Sequence, residues 1–385
     1  MCWFTKAALL STLTAGLLAG ASSATPVPGI LLKRVPENGI QPQVAVSDDG
    51  TIHLLYFKGD PLGGDLFYTH SKDGEIFATP IRVNSASRTA IAVGNIRGGR
   101  ITTGRRGSIY VTWNGSQTAT RSNGGRTPML YTRLNKARTA FEPERNLIQS
   151  AYGIDGGGAI TADRAGRVFV FWHAPASAGE GEQSRRVWMT RSQDDGLTFE
   201  AERVAWKEPT GVCGCCSLNA FADGLGNLFV LFRAAHEMVH RDMYLLKSQD
   251  HGNTFRGSDV SPWTVGYCVM STEAFARGSN GLLAAWETEK RVHFGRIPED
   301  HTQLSDSVSV VGTNQKYPSL AESRQGTTLL AWTEGMGWKR GGSLHWQLFN
   351  RSGQFVGEAG STDGVPVWSL VASYARADGS FVIFY

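Results

Sequence analysis

The reactive side chains of this 385-residue sequence are concentrated in a few places. The densest is Gly211-Val212-Cys213-Gly214-Cys215-Cys216, joined in principle by Cys268 further along. An even number of thiols in an exported chain is expected to pair. Cys213 or Cys216 with Cys268 is one possibility, and an adjacent Cys215–Cys216 bridge is another. The alternative is a thiolate cluster for copper or zinc, joined by Met270 or His240. The spacing fits no zinc knuckle, so disulfides are the expectation, with no metal and no cofactor. Proton transfer needs His, Asp or Glu, and His173, His240, Asp155 and Glu287 are the candidates. Arg97 and Arg233 offer planar forks for a sugar carboxylate. Asn114, Tyr152, Lys58 and Asp60 are candidate substrate contacts. His236-Glu237-Met238-Val239-His240 spaces two imidazoles four apart, but no helix is expected there, so the zinc-protease reading fails. The following Arg241-Asp242 reads as an ion pair at a strand start.

The elements that must position these groups are short strands. A two-strand pattern recurs across Gly-containing turns. Its copies are 43–47 with 52–57, 100–103 with 109–113, 159–162 with 168–172, 219–222 with 228–232, 273–276 with 282–286, 319–322 with 328–332, and 370–375 with 381–385. Repetition at a spacing of roughly 46 to 60 residues is the signature of propeller blades, each with an inner and a second strand. The first six copies leave room for two outer strands. The seventh runs out at Tyr385, and a strand near Ile30–Val35 is placed to complete it and close the ring. The pattern therefore predicts an all-β, seven-bladed β-propeller over 25–385, with a six-bladed ring as runner-up. In a propeller, connections entering inner strands and leaving second strands open on one mouth. Arg97 and Asp155 precede inner strands, whereas His173, Arg233 and Glu287 follow or end second strands. All are expected at that mouth, with His240 in a longer loop.

One run returns almost intact. Ser192-Gln193-Asp194-Asp195-Gly196-Leu197-Thr198-Phe199 reappears as Ser248-Gln249-Asp250-His251-Gly252-Asn253-Thr254-Phe255, and a worn copy begins at Ser71. The run reads as a turn, with Asp accepting amide hydrogen bonds and Phe dropping into the core. It resembles the Asp-box, or BNR repeat, of the sialidase superfamily of β-propellers. That resemblance implies a turn between third and fourth strands, on the face opposite the mouth. The Cys213-to-Cys216, Tyr56-to-Asp60 and His240-to-Asp242 runs look more like secreted bacterial sialidase-like proteins of unassigned activity. The sialidase machinery of three arginines, a tyrosine with a glutamate, and an aspartate does not map onto this sequence residue by residue.

Composition bounds the function. Glycine is abundant at 46 and tryptophan at 11, while charged residues make up only 19%. The net charge of +4 is modest and its basic residues are scattered, which gives no reason to expect a nucleic-acid partner. Residues 1–24 combine a short basic start, an apolar run and the small residues Ala21-Ser22-Ser23-Ala24, as a secretory signal peptide does. The mature chain is expected to be monomeric, secreted or periplasmic, and without a membrane span. Three functions remain open. A glycan-active hydrolase or uronate lyase acting on an acidic oligosaccharide needs converging acid, base and arginine. Carboxyl candidates include Asp60, Asp155, Glu273 and Glu287. A glycan- or protein-binding propeller needs an aromatic platform, for which Tyr152, Trp172 and Trp338 are candidates. A metal or redox module would be built on the cysteines.

Overall fold

The computed structural model describes Met1 and residues 29–120, 126–151, 153–154, 156–175, 181–298, 304–305 and 307–385. The expected leader lies outside these residues apart from Met1, and so do Tyr152 and Asp155.

The second strands explain the architecture. Val168–Pro175, sequence VFVFWHAP, is buried along nearly its whole length, and Leu228–Arg233 along all of it. A strand apolar on both faces must be covered on both faces. Each second strand meets this demand by standing between two neighbouring sheets. Among the described residues the strands form seven sheets. Blade 1 contains Ile40–Val46, Ile52–Asp60, Gly63–Ser71 and Ile81–Arg82. Blade 2 contains Arg100–Thr103, Ile109–Asn114, Met129–Arg133 and Arg145–Asn146. Blade 3 contains Gly158–Ala162, Val168–Pro175, Arg185–Ser192 and Arg203–Val204. Blade 4 contains Leu218–Ala222, Leu228–Arg233, Met243–Ser248 and Arg256–Ser261. Blade 5 contains Ala274–Gly278, Gly281–Thr288, Arg291–Ile297 and Val308–Ser309. Blade 6 contains Gln315–Glu322, Thr328–Glu334, Gly342–Phe349 and Phe355–Val365. All six are antiparallel and follow chain order from the axis outward.

Blade 7 holds Ala372–Ala375, Phe381–Phe384 and the N-terminal strand Ile30–Lys33. The last two are parallel, with Ile30 opposite Phe381 and Lys33 opposite Phe384. The fold is thus a seven-bladed β-propeller. Its inner strands pack in succession, and blade 7 packs onto blade 1, which closes the ring. The core is divided into sectors between neighbouring blades. Phe169, Phe171, Val230 and Phe232 fill one such sector, and Tyr56, Leu54, Val382 and Phe384 fill the closing one. No helix among the described residues is long and apolar enough to cross a membrane.

The repeated turns leave the third strands of blades 3 and 4 on the face away from the mouth. Asp194 Oδ1 accepts from Ser192 Oγ and from the Thr198 amide, both at 2.8 Å, and Oδ2 accepts from Thr198 Oγ1 at 2.6 Å. Asp250 repeats the arrangement at 2.7, 2.9 and 2.6 Å. Gly196 and Gly252 take φ of +74° and +78°, where a side chain is disfavoured. Phe199 meets Tyr131 of blade 2 edge-on at 4.8 Å between centroids, so each turn fastens its blade to the one before.

Candidate functional site at the channel mouth

The mouth is built from connections that enter inner strands and leave second strands. Several of these backbones are unusual. Gln41, Asn95, Met270, Tyr317 and Trp368 are non-glycine residues with φ between 54° and 63°, all at or just before an inner-strand start. Bulges interrupt the ladders after Ile40 and Lys316. Both features re-aim side chains at the cost of local strain.

Beneath the rim, buried polar groups tie one blade to the next. Asn114 of blade 2 donates to the Gly156 carbonyl ahead of blade 3. His173 of blade 3 is buried, with Nε2 3.2 Å from the Cys216 carbonyl. A Cβ on Gly156 would collide with the His173 ring, so glycine is what lets this connection close over the imidazole. Ser217 Oγ donates to Glu273 Oε2 at 2.8 Å, linking blades 4 and 5. Arg233 is fully buried, donates to the Arg241 carbonyl at 2.7 Å and lies 3.6 Å from Glu287 Oε2. Its guanidinium also sits 5.2 Å above the Trp263 ring. Burial pushes the Glu273 carboxyl well above the usual carboxylate range. Burial also raises Glu287, with Arg233 and Lys316 opposing the rise. These groups are the mortar between blades, and a sugar would reach them only by displacing that mortar.

The other predicted contacts sit at the rim. Lys58 pairs with Glu37, and its ammonium lies 5.0 Å over Phe67. Asp60 accepts from the Leu62 amide at 3.0 Å and lies 3.7 Å from Arg88. His240 is half-exposed, 3.7 Å from Glu237, with its ring 5.8 Å from that of His236. These three side chains form an exposed group of possible metal ligands, without the helix of a zinc protease. The expected local pair Arg241-Asp242 is not formed. Arg241 instead reaches Glu182 at 2.6 Å, and Asp242 accepts from the Trp263 amide at 2.7 Å. Extended backbone sends adjacent side chains to opposite faces, so neighbours in sequence are poor partners here.

The cysteines converge as free thiols, where the sequence leads us to expect bridges. Cys213 and Cys215 Sγ are 3.3 Å apart, well beyond the ~2.05 Å of a bond. The Cys268 thiol, from the connection into blade 5, lies near Cys215 and Cys216. Cys213 and Cys216 are buried, and burial pushes Cys216 up to about 11.

The aromatic candidates separate cleanly. Trp172 is wholly buried and offers no platform. Trp338, in the loop leaving the second strand of blade 6, is 57% exposed. It rests edge-on against Trp368 at 4.7 Å between centroids. Trp368 has a φ of +63°, and Gln41 Nε2 holds its carbonyl at 2.8 Å. Arg97, half-buried, donates to the Val93 carbonyl at 3.1 Å. A Cβ on Gly94 would lie 3.2 Å from Arg97 Nη1 and 3.8 Å from the Trp338 ring, so guanidinium and indole are neighbours over Gly94. The same blade 6 loop borders an open groove of about 680 Å³, lined by Asn314, Glu334, Ser343 and Asp363 among others. Glu334 is held by Trp332 Nε1 at 2.9 Å and faces His345 at 3.7 Å. The sequence singled out Arg97 and Trp338 separately and placed Glu334 in the polar exit after Trp332, but carried no signal for Trp368 or Asp363.

No protein-family model matches the chain. No curated protein matches it either. Solved structures do. The chain is similar to a protein of unknown function from Dyadobacter fermentans, at 14% identity and a TM-score of 0.56, covering 80% of this chain and 94% of that one. It is similar to an α-L-arabinofuranosidase of Fusarium graminearum solved with an iminosugar inhibitor, at 10% identity and 0.55, covering 85% and 98%. It is also similar to the Hadza microbial sialidase Hz136, at 15% identity and 0.50, covering 82% and 69%. At such identities the likeness is one of fold. The chain is a β-propeller structurally related to glycosidase and sialidase propellers.

Proposed function

We propose that this chain is an exported propeller, secreted or periplasmic, that binds an acidic oligosaccharide at its mouth. Trp338 supplies the face on which a sugar ring stacks. Arg97 supplies the fork for the carboxylate, and the groove beside blade 6 takes the hydroxyls of the following sugars. The single observation that carries the reading is the juxtaposition of exposed Trp338, braced by Trp368, with Arg97 across Gly94. A binder is favoured over an acid–base catalyst because His173, Glu273 and Glu287 are buried in contacts between blades.

Calorimetric titration with uronate-terminated and sialylated oligosaccharides tests this. Trp338→Ala should weaken binding at least tenfold, about 1.4 kcal/mol, with unchanged melting. Arg97→Lys should weaken acidic ligands and leave neutral ones alone. Equal affinity in wild type and Trp338→Ala would reject the site. Steady release of reducing ends or unsaturated uronate, abolished in His173→Ala or His240→Ala, would replace the binder by the enzyme.

A further inference from the structure

All four cysteines of the described residues lie at one spot, although they come from two blades. Cys213, Cys215 and Cys216 occupy a single tight loop ahead of blade 4. Their sulfurs all lie within 4.8 Å of one another. Two sulfurs bound to one ion at ~2.3 Å each can be at most about 4.6 Å apart. The free thiols are therefore already within a small side-chain rotation of a shared ion. Cys268 arrives from the connection into blade 5 and lies near Cys215.

Burial holds the Cys216 thiol up, and the basic side chains around the loop act in the opposite direction. Arg241 interacts with Cys213 and Cys215, Arg233 with Cys216, and Lys316 with Cys268. The Arg185 guanidinium packs against Gly214 inside the loop. These four basic side chains outnumber the nearby carboxyls Glu182, Glu273 and Glu287. The floor is apolar, formed by Val269, Ala235 and Trp263. Carboxylates and water are the ligands of hard cations, and here the donor atoms are sulfur alone. Soft thiolates select d¹⁰ ions such as Cu(I) and Zn(II). Three ligands within four residues are tighter than the spacing of structural zinc sites, and that tightness favours a three-coordinate ion.

We infer that Cys213, Cys215 and Cys216 form a three-coordinate binding site for one soft d¹⁰ metal ion at the channel mouth, with the Cys268 thiol beside it. The site is independent of the sugar-binding patch, which lies across blades 1, 6 and 7.

The test uses the mature full chain, reduced and handled without oxygen. It is titrated with Cu(I) against a chromophoric chelator, and separately with Zn(II) against another. One ion per chain should be retained in at least one titration, and the tighter ion identifies the occupant. Cys215→Ser, at the least buried of the three positions, should lower affinity by about 100-fold or more. Metal loading of the wild type should also protect Cys215 from alkylation, which needs no variant to fold. No retained ion in either titration overturns the inference, as does unchanged affinity in Cys215→Ser or undiminished alkylation of Cys215. Protein isolated without reductant that carries two disulfides, no alkylatable thiol and no metal also overturns it.

Discussion

At the scale of single residues, burial decides what each charged group does. Arg233 and Glu287 have side chains 0% and 1% exposed and lie 3.6 Å apart. Such a pair is costly to break and cheap to replace as a unit. Arg233→Met alone should cost about 3–5 kcal/mol, because it strands the Glu287 carboxylate. Adding Glu287→Met should return most of that loss. Urea unfolding of the single and double variants measures both. Exposed carboxylates behave differently. Burial is the largest single influence on Asp194 and Asp250 and acts upward, but together the hydrogen bonds from the Thr198 and Thr254 hydroxyls and amides and the Ser192 and Ser248 hydroxyls outweigh it and hold both down to about 2. A depressed carboxylate adds stability that is present above its ordinary value of 3.8 and is lost as pH falls through about 2. Glu273 and Glu287 are raised and act in the opposite sense, favouring the fold at low pH and losing that contribution as pH rises. The Asp194→Asn/Asp250→Asn chain should therefore lose less stability than wild type between about pH 4 and pH 2. Thermal melts across that range give the comparison, and identical losses would assign acid unfolding to other groups.

At the scale of elements, the sequence exposes whatever is periodic and hides whatever is short or distant. The second strands are apolar on both faces, and the turns before them carry glycine. That is why 109–113 and 168–172 could be placed within a residue or so at the start, against the observed Ile109–Asn114 and Val168–Pro175. Outer strands such as Ile81–Arg82 and Arg145–Asn146 have two residues each and leave no pattern. Side-chain partners were harder to read. Arg241 finds Glu182 fifty-nine positions away, while its sequence neighbour Asp242 serves a different loop. Trp338 was visible as an exposed aromatic, but its brace Trp368 is thirty residues on and depends on a left-handed backbone that Gln41 holds. The cysteines were read as disulfides from compartment and parity. The geometry of the loop that bunches their sulfurs is not a property of their spacing alone.

At the scale of the molecule, the ring is closed by one short parallel strand, Ile30–Lys33. A chain starting at Pro36 would expose the edge of Phe381–Phe384 and part of the last sector of core. It should melt well below the mature protein and associate through that edge. An unchanged melting temperature and a monomeric elution profile would mean that six complete blades hold the seventh without the closing strand. Closure also matters for the mouth, because blades 7, 1 and 6 bring Trp368, Arg97 and Trp338 together. The central claim is that this patch is where the molecule meets a glycan. The most direct measurement is a crystal structure of the protein soaked with a uronate-terminated oligosaccharide. The account predicts a sugar ring against Trp338 with its carboxylate on Arg97. Sugar bound instead among the repeated turns of the opposite face, or displacing the Arg233–Glu287 pair in the channel, would contradict it.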